Sequence, residues 1–434
     1  MPCPNVISSF ACAAFALGAA FLLIEPIGLL AGPPQQGKKL GAGDAEKILS
    51  KLFDAKDTDR TEMFAQLDAF EPLKTSDVKN WSKKLMTLAQ KGPKLEEKGR
   101  SYLYDPKAKK GLYLSGGKSG SNSLFFGLHG GGVGQGDAES AKSPWNGAIT
   151  GEGWLAIYPE VIEKTEAAWG DDITERFVLD LLEHAKRTYK LDTNKIFMGG
   201  HSMGGYGTWT LGGRHADLFA GLVAFAGAAT PYRDRNNAKK IEGIVEGHLP
   251  NLRNIPIFVY HSKDDPRVDF ETNEYAVQEL GRLQKEHGGY SHKYDFVDGK
   301  GHDFPDPKPG LEFIHKSVRD PRPKKIVWQP LHKWKRMFYW IYWDDPIPAS
   351  IVVAELKNKN EIDITVKVKD KIEEPKGFSV LLDDRLVDLE KEVTIRVNGA
   401  VKFNGKIPRS LATMALTAVE RRDPEMLFTA RVKL

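Results

Sequence analysis

The sequence predicts an α/β domain built on a mainly parallel sheet flanked by helices, with a short helical prelude before it and an all-β sandwich domain after it. Three observations carry this. Apolar runs such as "SLFFGL", "WLAIYPEV", "KIFMGG", "FAGLVAFAG" and "IPIFVYHS" are continuous rather than alternating, as strands buried on both faces require. Between them lie stretches with apolar residues at helical spacing, of which "ITERFVLDLLEHAKRTY" is the clearest. Toward the C-terminus the pattern changes to short alternating or β-branched segments, such as "ASIVVAEL", "EIDITVKV" and "VTIRVNGAVKF", separated by turn signals.

Taken in order, the chain opens with "VISSFACAAFALGAAFLLI", which ends at Glu25 and runs into "PIGLLAGPPQQGKK". Residues 1–31 read as an export signal, cleaved or retained as a membrane anchor, and contact with a membrane follows only if the segment stays uncleaved. Both cysteines, Cys3 and Cys12, fall inside this segment, so the rest of the chain has no disulfide and no cysteine metal site. Residues 32–95 read as a linker and a small helical prelude, from "AEKILSKLFDA" and "VKNWSKKLMTLAQ". "SYLYD" and "KGLYLSGG" are two short strands that open the α/β domain of residues 96–320. A Pro- and Lys-rich stretch from Pro305 to Lys325 links it to the sandwich of residues 321–434, where Asn398-Gly399 signals a two-residue hairpin turn. The aromatic run "WKRMFYWIYW" reads as a core strand with an interdomain patch, and stacking on sugar rings is the alternative.

With 434 residues, 41% of them hydrophobic, the chain can bury a large core. The net charge of +4 is small for this length and too dilute to imply nucleic acid.

Ligands of an open α/β sheet lie beyond the carboxyl ends of its strands. At one such end stands Gly200-His201-Ser202-Met203-Gly204, a G-x-S-x-G between a predicted strand and a predicted helix. A serine forced into that tight turn needs small neighbours two positions either side, and the turn holds its Oγ above the sheet. Acyl transfer at Ser202 also needs backbone N–H groups where the oxyanion forms. Met203 supplies one; His129-Gly130-Gly131-Gly132, directly after "SLFFGL", supplies the other, from Gly130 in preference to Gly131. "IPIFVYHSKDDPRV" presents Asp264 and Asp265 at the end of a later strand, and "YDFVDGKGHDF" presents His302 after the last one. The order Ser, Asp, His is the one such a sheet requires.

Together, "LHGGGVGQGDAESAKSPW", "KIFMGGHSMGGYGTW", "YHSKDDPRV" and "GKGHDF" resemble the secreted esterases of the α/β-hydrolase superfamily. The branch in question groups polyhydroxybutyrate depolymerase-like, feruloyl and acetylxylan esterases with peptidases of the prolyl oligopeptidase type. The resemblance spans roughly Gly111 to Pro305. It implies an α/β-hydrolase fold, no cofactor and no metal, and an acid in a G-x-x-D-x-x-V loop onto which Ser262, Asp265 and Val268 align. That register favours Asp265 over Asp264, with serine standing where the family has glycine.

The function expected is a serine esterase with Ser202, His302 and Asp265 as triad, acting on acylated polysaccharide or aryl esters outside the cytoplasm. A serine peptidase with the same triad is the alternative, and a binding module that only retains the fold is a third reading. Trp145 and Trp169 lie in loops after strands and are candidates to line the substrate pocket. "SGGKSGS" fails as a phosphate loop because Leu112 stands where its first glycine belongs, and no HExxH is present.

Overall fold

Continuous apolar runs form the centre of an eight-stranded sheet in the computed structural model, which describes residues 40–97, 99–245 and 248–434. The export segment expected over residues 1–31, and the linker up to residue 39, lie outside the described residues. Among the described residues no helix is long and apolar enough to cross a membrane.

Three helices come first: α1 (Ala42–Leu52), α2 (Asp57–Asp68) and α3 (Thr75–Ala89). The sheet then takes β1 (Arg100–Asp105), β2 (Lys110–Gly117), β3 (Leu124–Leu128), β4 (Leu155–Pro159), β5 (Ile196–His201) and β6 (Gly221–Phe225). A small half-buried ribbon, β7 (Pro231–Arg233) with β8 (Ile241–Ile244), interrupts it before β9 (Ile257–Ser262) and β10 (His292–Val297) complete it. The strand order is β1-β2-β4-β3-β5-β6-β9-β10, with β2 alone running against the others. Every residue of β3, β4, β6 and β9 is buried, which is why their sequences do not alternate. Helices cover both faces: α4 (Ala138–Glu152), α5 (Asp172–Thr188), α6 (Met203–Arg214), α7 (Phe270–His287) and α8 (Lys308–Ile314).

The C-terminal part holds two further sheets. One joins β11 (Lys325–Trp328), β14 (Ser350–Asn358), β15 (Glu361–Val368), β18 (Val393–Val397) and β19 (Ala400–Gly405), with β16 (Lys371–Ile372) beside β15. The other joins β12 (Met337–Phe338), β13 (Ile341–Trp343), β17 (Phe378–Leu382) and β20 (Ala430–Lys433). Asn398 and Gly399 make the hairpin between β18 and β19 with φ of 51° and 86°, the positive values a type I′ turn demands.

The aromatic run belongs to the core: Phe338, Tyr339, Trp340 and Trp343 are 0% exposed. It is part of one apolar cluster that runs from Leu128, Met198 and Leu252 of the α/β part to Trp328, Tyr339 and Val366 of the C-terminal part. Polar groups cross the same boundary. Lys335 reaches Asp217 at 2.8 Å, Arg319 reaches Asp423 at 2.8 Å, and the Tyr339 hydroxyl donates to the Ala216 carbonyl at 3.2 Å. Residues 40–434 accordingly cluster as one compact unit.

The C-terminal part also carries a helix, α9 (Leu411–Arg421), that strand alternation did not announce. The Ser410 hydroxyl caps it by accepting from the Thr413 N–H. Leu411, Met414, Ala415 and Ala418 on α9 pack against Leu49, Leu52, Trp81 and Leu85 of the prelude. The N-terminal helices and α9 thus share one small core.

Candidate active site

Ser202 sits in the turn between β5 and α6 with φ 60° and ψ −125°, a conformation an ordinary L-residue adopts only at a cost. Hydrogen bonds hold it there: its N–H donates to the Phe225 carbonyl at 2.9 Å, and its carbonyl accepts from the Tyr206 N–H at 3.0 Å. The turn closes only because its flanks lack side chains. A Cβ on Gly204 would stand 2.1 Å from the Leu128 carbonyl oxygen, and one on Gly200 would stand 2.4 Å from the Gly204 backbone.

His302 comes from the loop after β10 and Asp265 from the loop after β9. The His302 Nε2 lies 2.8 Å from the Ser202 Oγ, and its Nδ1 lies 2.6 Å from the Asp265 Oδ2. A carboxylate only accepts, so the neutral imidazole carries its proton on Nδ1 and leaves Nε2 free to take the hydroxyl proton. The Asp265 side chain is 0% exposed. Burial works against its ionisation, but hydrogen bonds from His302 and from the Arg267 and Val268 N–H groups outweigh it and hold its pKa below the usual carboxylate value.

The neighbouring carboxylate has another task. Asp264 Oδ1 accepts from the Gly299 and Gly301 N–H groups, each at 3.1 Å, and from the Ser262 hydroxyl. The Ser262 Oγ in turn accepts from the Lys300 N–H at 3.1 Å. These bonds stitch the loop that carries His302 to the loop that carries Asp265. The same side-chain type, one residue apart, holds the His302 ring in one case and its loop in the other.

The loop after β3 lies directly over Ser202: a Cβ on Gly130 would stand 3.3 Å from the serine Cβ. Inside it the His129 Nδ1–H donates to the Gly130 carbonyl at 2.8 Å, while its Nε2 accepts from the Val161 N–H at 3.2 Å. Burial lowers the His129 pKa, so the ring is a neutral strut. In a trans peptide the N–H points opposite the preceding C=O. Anchoring the Gly130 carbonyl on His129 therefore turns the Gly131 N–H away from that ring. Gly131 and Met203 border, with Ser202, a cavity of about 740 Å³, to which Tyr206, Arg267 and Val268 also contribute. Met203 is the first residue of α6, where the N–H has no acceptor within the helix.

Two expectations are corrected. Trp169 does not line the cavity: it is 0% exposed, its Nε1–H donates to the His129 carbonyl at 3.2 Å, and its ring fills the space over Gly207 of α6. Trp145 is 1% exposed and stacks on Phe225 at 5.1 Å, so it is a core residue on the other face of the sheet; one edge borders a separate cavity of about 310 Å³ beside Gly130 and His201. Conversely, His261 and Asn273, which the sequence did not single out, stand behind Asp265 with the His261 Nε2 at 3.0 Å from its Oδ2. A histidine inside "IPIFVYHS" carries no signal that separates it from an ordinary core residue.

Among the described residues Asp172, Glu175 and His332 bring potential metal-ligand atoms within 4.8 Å of one another. The Glu175 carboxylate already accepts from Arg214, His215 and His332, and the guanidinium opposes a cation there.

Sheet order, the strained serine turn and a cavity at the carboxyl ends of the strands define an α/β-hydrolase fold. No family model matches the chain, and no curated protein matches it. Among solved structures it is similar to a thermostable esterase, with 20% identity over 51% of this chain and 64% of that one and a TM-score of 0.37. The chain thus spans less than two thirds of that esterase's length. It is also similar to esterase 2 of Thermogutta terrifontis, with 14% identity over 51% of this chain and 93% of that one and a TM-score of 0.39. An S-formylglutathione hydrolase from Staphylococcus aureus is similar with 15% identity over 52% of this chain and 100% of that one, TM-score 0.34.

Proposed function

We propose that the protein is a serine hydrolase that cleaves carboxylic esters through an acyl-enzyme on Ser202. The observation that carries this reading is the unbroken line from the Ser202 Oγ to the His302 Nε2, at 2.8 Å, and from the His302 Nδ1 to Asp265, at 2.6 Å, beside an open cavity.

In this reading His302 takes the Ser202 proton as Oγ attacks the ester carbonyl, and Asp265 stabilises the resulting imidazolium. The tetrahedral oxyanion receives the N–H groups of Met203 and Gly131, with Gly130 as the adjoining loop residue. His302 then gives its proton to the leaving alkoxide. A water activated by the same imidazole attacks the acyl-enzyme and releases the acid, restoring Ser202. No metal or organic cofactor enters any of these steps. The substrate class is an acylated polysaccharide or aryl ester, as the resemblance of the four motifs implies, and the apolar run before Glu25 favours an exported enzyme.

The test is hydrolysis of p-nitrophenyl acetate by the protein and by its Ser202→Ala variant, followed by panels of esters and peptides. Loss of activity in the variant together with a preference for esters supports the proposal. Preference for peptides would make the protein a serine peptidase, and equal rates in both proteins would remove Ser202 from the chemistry.

A further inference from the structure

We infer that His261, oriented by Asn273 and Trp209, is a positioning residue that presets the Asp265 carboxylate for His302. The inference rests on the proposed role of Ser202. It starts from a chain of four side chains on α6, α7, β9 and the acid loop. Trp209 and Asn273 are 0% exposed, as are the side chains of His261 and Asp265. Nothing in this chain faces bulk water.

The direction of every bond in it is fixed from one end. An indole N–H can only donate, and the Trp209 Nε1 lies 3.1 Å from the Asn273 Oδ1. That sets which end of the amide is oxygen, so the Asn273 Nδ2 is the group 2.9 Å from the His261 Nδ1. The amide nitrogen has only protons to offer; the His261 Nδ1 must accept. The ring proton of the neutral imidazole therefore sits on Nε2, which donates to the Asp265 Oδ2 at 3.0 Å. Burial keeps His261 neutral by lowering its pKa, although Asp265 acts in the opposite direction.

The Asp265 carboxylate is thus held on both oxygens. Oδ1 accepts from the Arg267 and Val268 N–H groups at 2.8 and 3.0 Å. Oδ2 accepts from His261 at 3.0 Å and from His302 at 2.6 Å. Rotation of the carboxylate would break bonds to both, so it presents one orientation to the base. A neutral donor in this place adds no charge to compete with the His302 imidazolium. The opposite tautomer of His261 would aim a lone pair at Oδ2 and push the carboxylate out of line. Because Trp209 lies on the helix that begins beside Ser202, the chain also ties the nucleophile's helix to the acid's loop.

The wild-type protein gives the first test. With histidine labelled by nitrogen-15, NMR should show a neutral His261 protonated on Nε2; protonation on Nδ1 would overturn the inference, whatever Ser202 does. The second test compares His261→Phe, which keeps the packing, with His261→Gln, whose amide N–H can reach the place of Nε2. We expect kcat for p-nitrophenyl acetate to fall about ten- to a hundredfold in His261→Phe with KM little changed. That is well short of the roughly 10⁴-fold cost of misorienting the base altogether. His261→Gln should recover most of the loss, and the downfield His302 Nδ1–H resonance should shift in the first variant and return in the second. Unchanged kcat in His261→Phe, or a Gln variant no better than Phe when both fold, would overturn the inference. Asn273→Asp offers an independent variant: an acceptor facing His261 Nδ1 draws the proton there, and the His302 resonance should move as in His261→Phe. Should wild type and Ser202→Ala hydrolyse equally, it is the proposed function that fails, a result separate from the His261 tautomer.

Discussion

Among the described residues two carboxylates each accept from two histidines, and only one of them lies beside a serine hydroxyl. Asp265 accepts from His302 and His261; Glu175 accepts from His215 at 2.7 Å and from His332 at 3.1 Å. Both side chains are 0% exposed. The difference lies in what completes each cluster. Beyond His302 stand the Ser202 Oγ and an open cavity, whereas the Glu175 cluster is closed by the Arg214 guanidinium. Burial opposes the ionisation of Glu175, yet hydrogen bonds from His215 and His332, with the charge of Arg214, hold its pKa well below the usual carboxylate range. Histidine and carboxylate in contact do not by themselves make a catalytic pair; the proposed chemistry also needs an accessible hydroxyl at the far ring nitrogen, which His302 has and the Glu175 cluster lacks. The Glu175 cluster instead ties α5 and the end of α6 to His332 of the C-terminal part.

Four experiments test this contrast. Ser202→Ala or Asp265→Asn should reduce kcat/KM for p-nitrophenyl acetate by roughly 10⁴-fold or more while leaving the unfolding midpoint in urea nearly unchanged. Glu175→Ala should do the reverse: breaking a buried charge cluster costs about 3–5 kcal/mol of stability, and activity per folded molecule should stay close to wild type. A variant that lost activity without losing stability would move Glu175 into the chemistry. Gly131→Ala should lower kcat by about 10²–10³-fold through loss of one oxyanion donor, since its φ of 144° and a Cβ only 2.9 Å from the Gln135 carbonyl would displace the loop.

The smallest effect is a pH dependence of stability. Burial lowers the pKa of His201 and of His248 from 6.5 to about 4. Between those values the unfolded chain binds protons that the folded chain does not. Each histidine therefore contributes stability that is complete above pH 6.5 and declines as the pH falls toward 4, by up to about 1.4 kcal/mol per pH unit. Denaturant unfolding of His248→Gln at pH 7 and pH 5 should show a shallower loss than wild type. An equal loss would mean that His248 takes up its proton without unfolding.

How much of this was legible in the sequence varies with the physics. The strands of the central sheet could be read because burial on both faces removes alternation, and the serine turn because only glycines fit at positions 200 and 204. Helix α9 went unread because its "LATMALTAVER" lies among strands, with Ser410 as its only local start signal. Trp169 misled because a loop after a strand is where a pocket residue belongs; the missing side chain at Gly207 draws its ring inward instead. His261 and Asn273 are separated by twelve residues and meet only through the packing of α7 on β9, which no local pattern encodes.

The measurement that bears most directly on Ser202 is covalent labelling with an organophosphonate, read by mass spectrometry of the whole protein and of its peptides. One adduct per chain is expected, on Ser202, absent from Ser202→Ala and formed far more slowly in His302→Ala. Hydrolysis of esters by a protein that forms no adduct, or an adduct on another residue, would rule out Ser202 as the nucleophile.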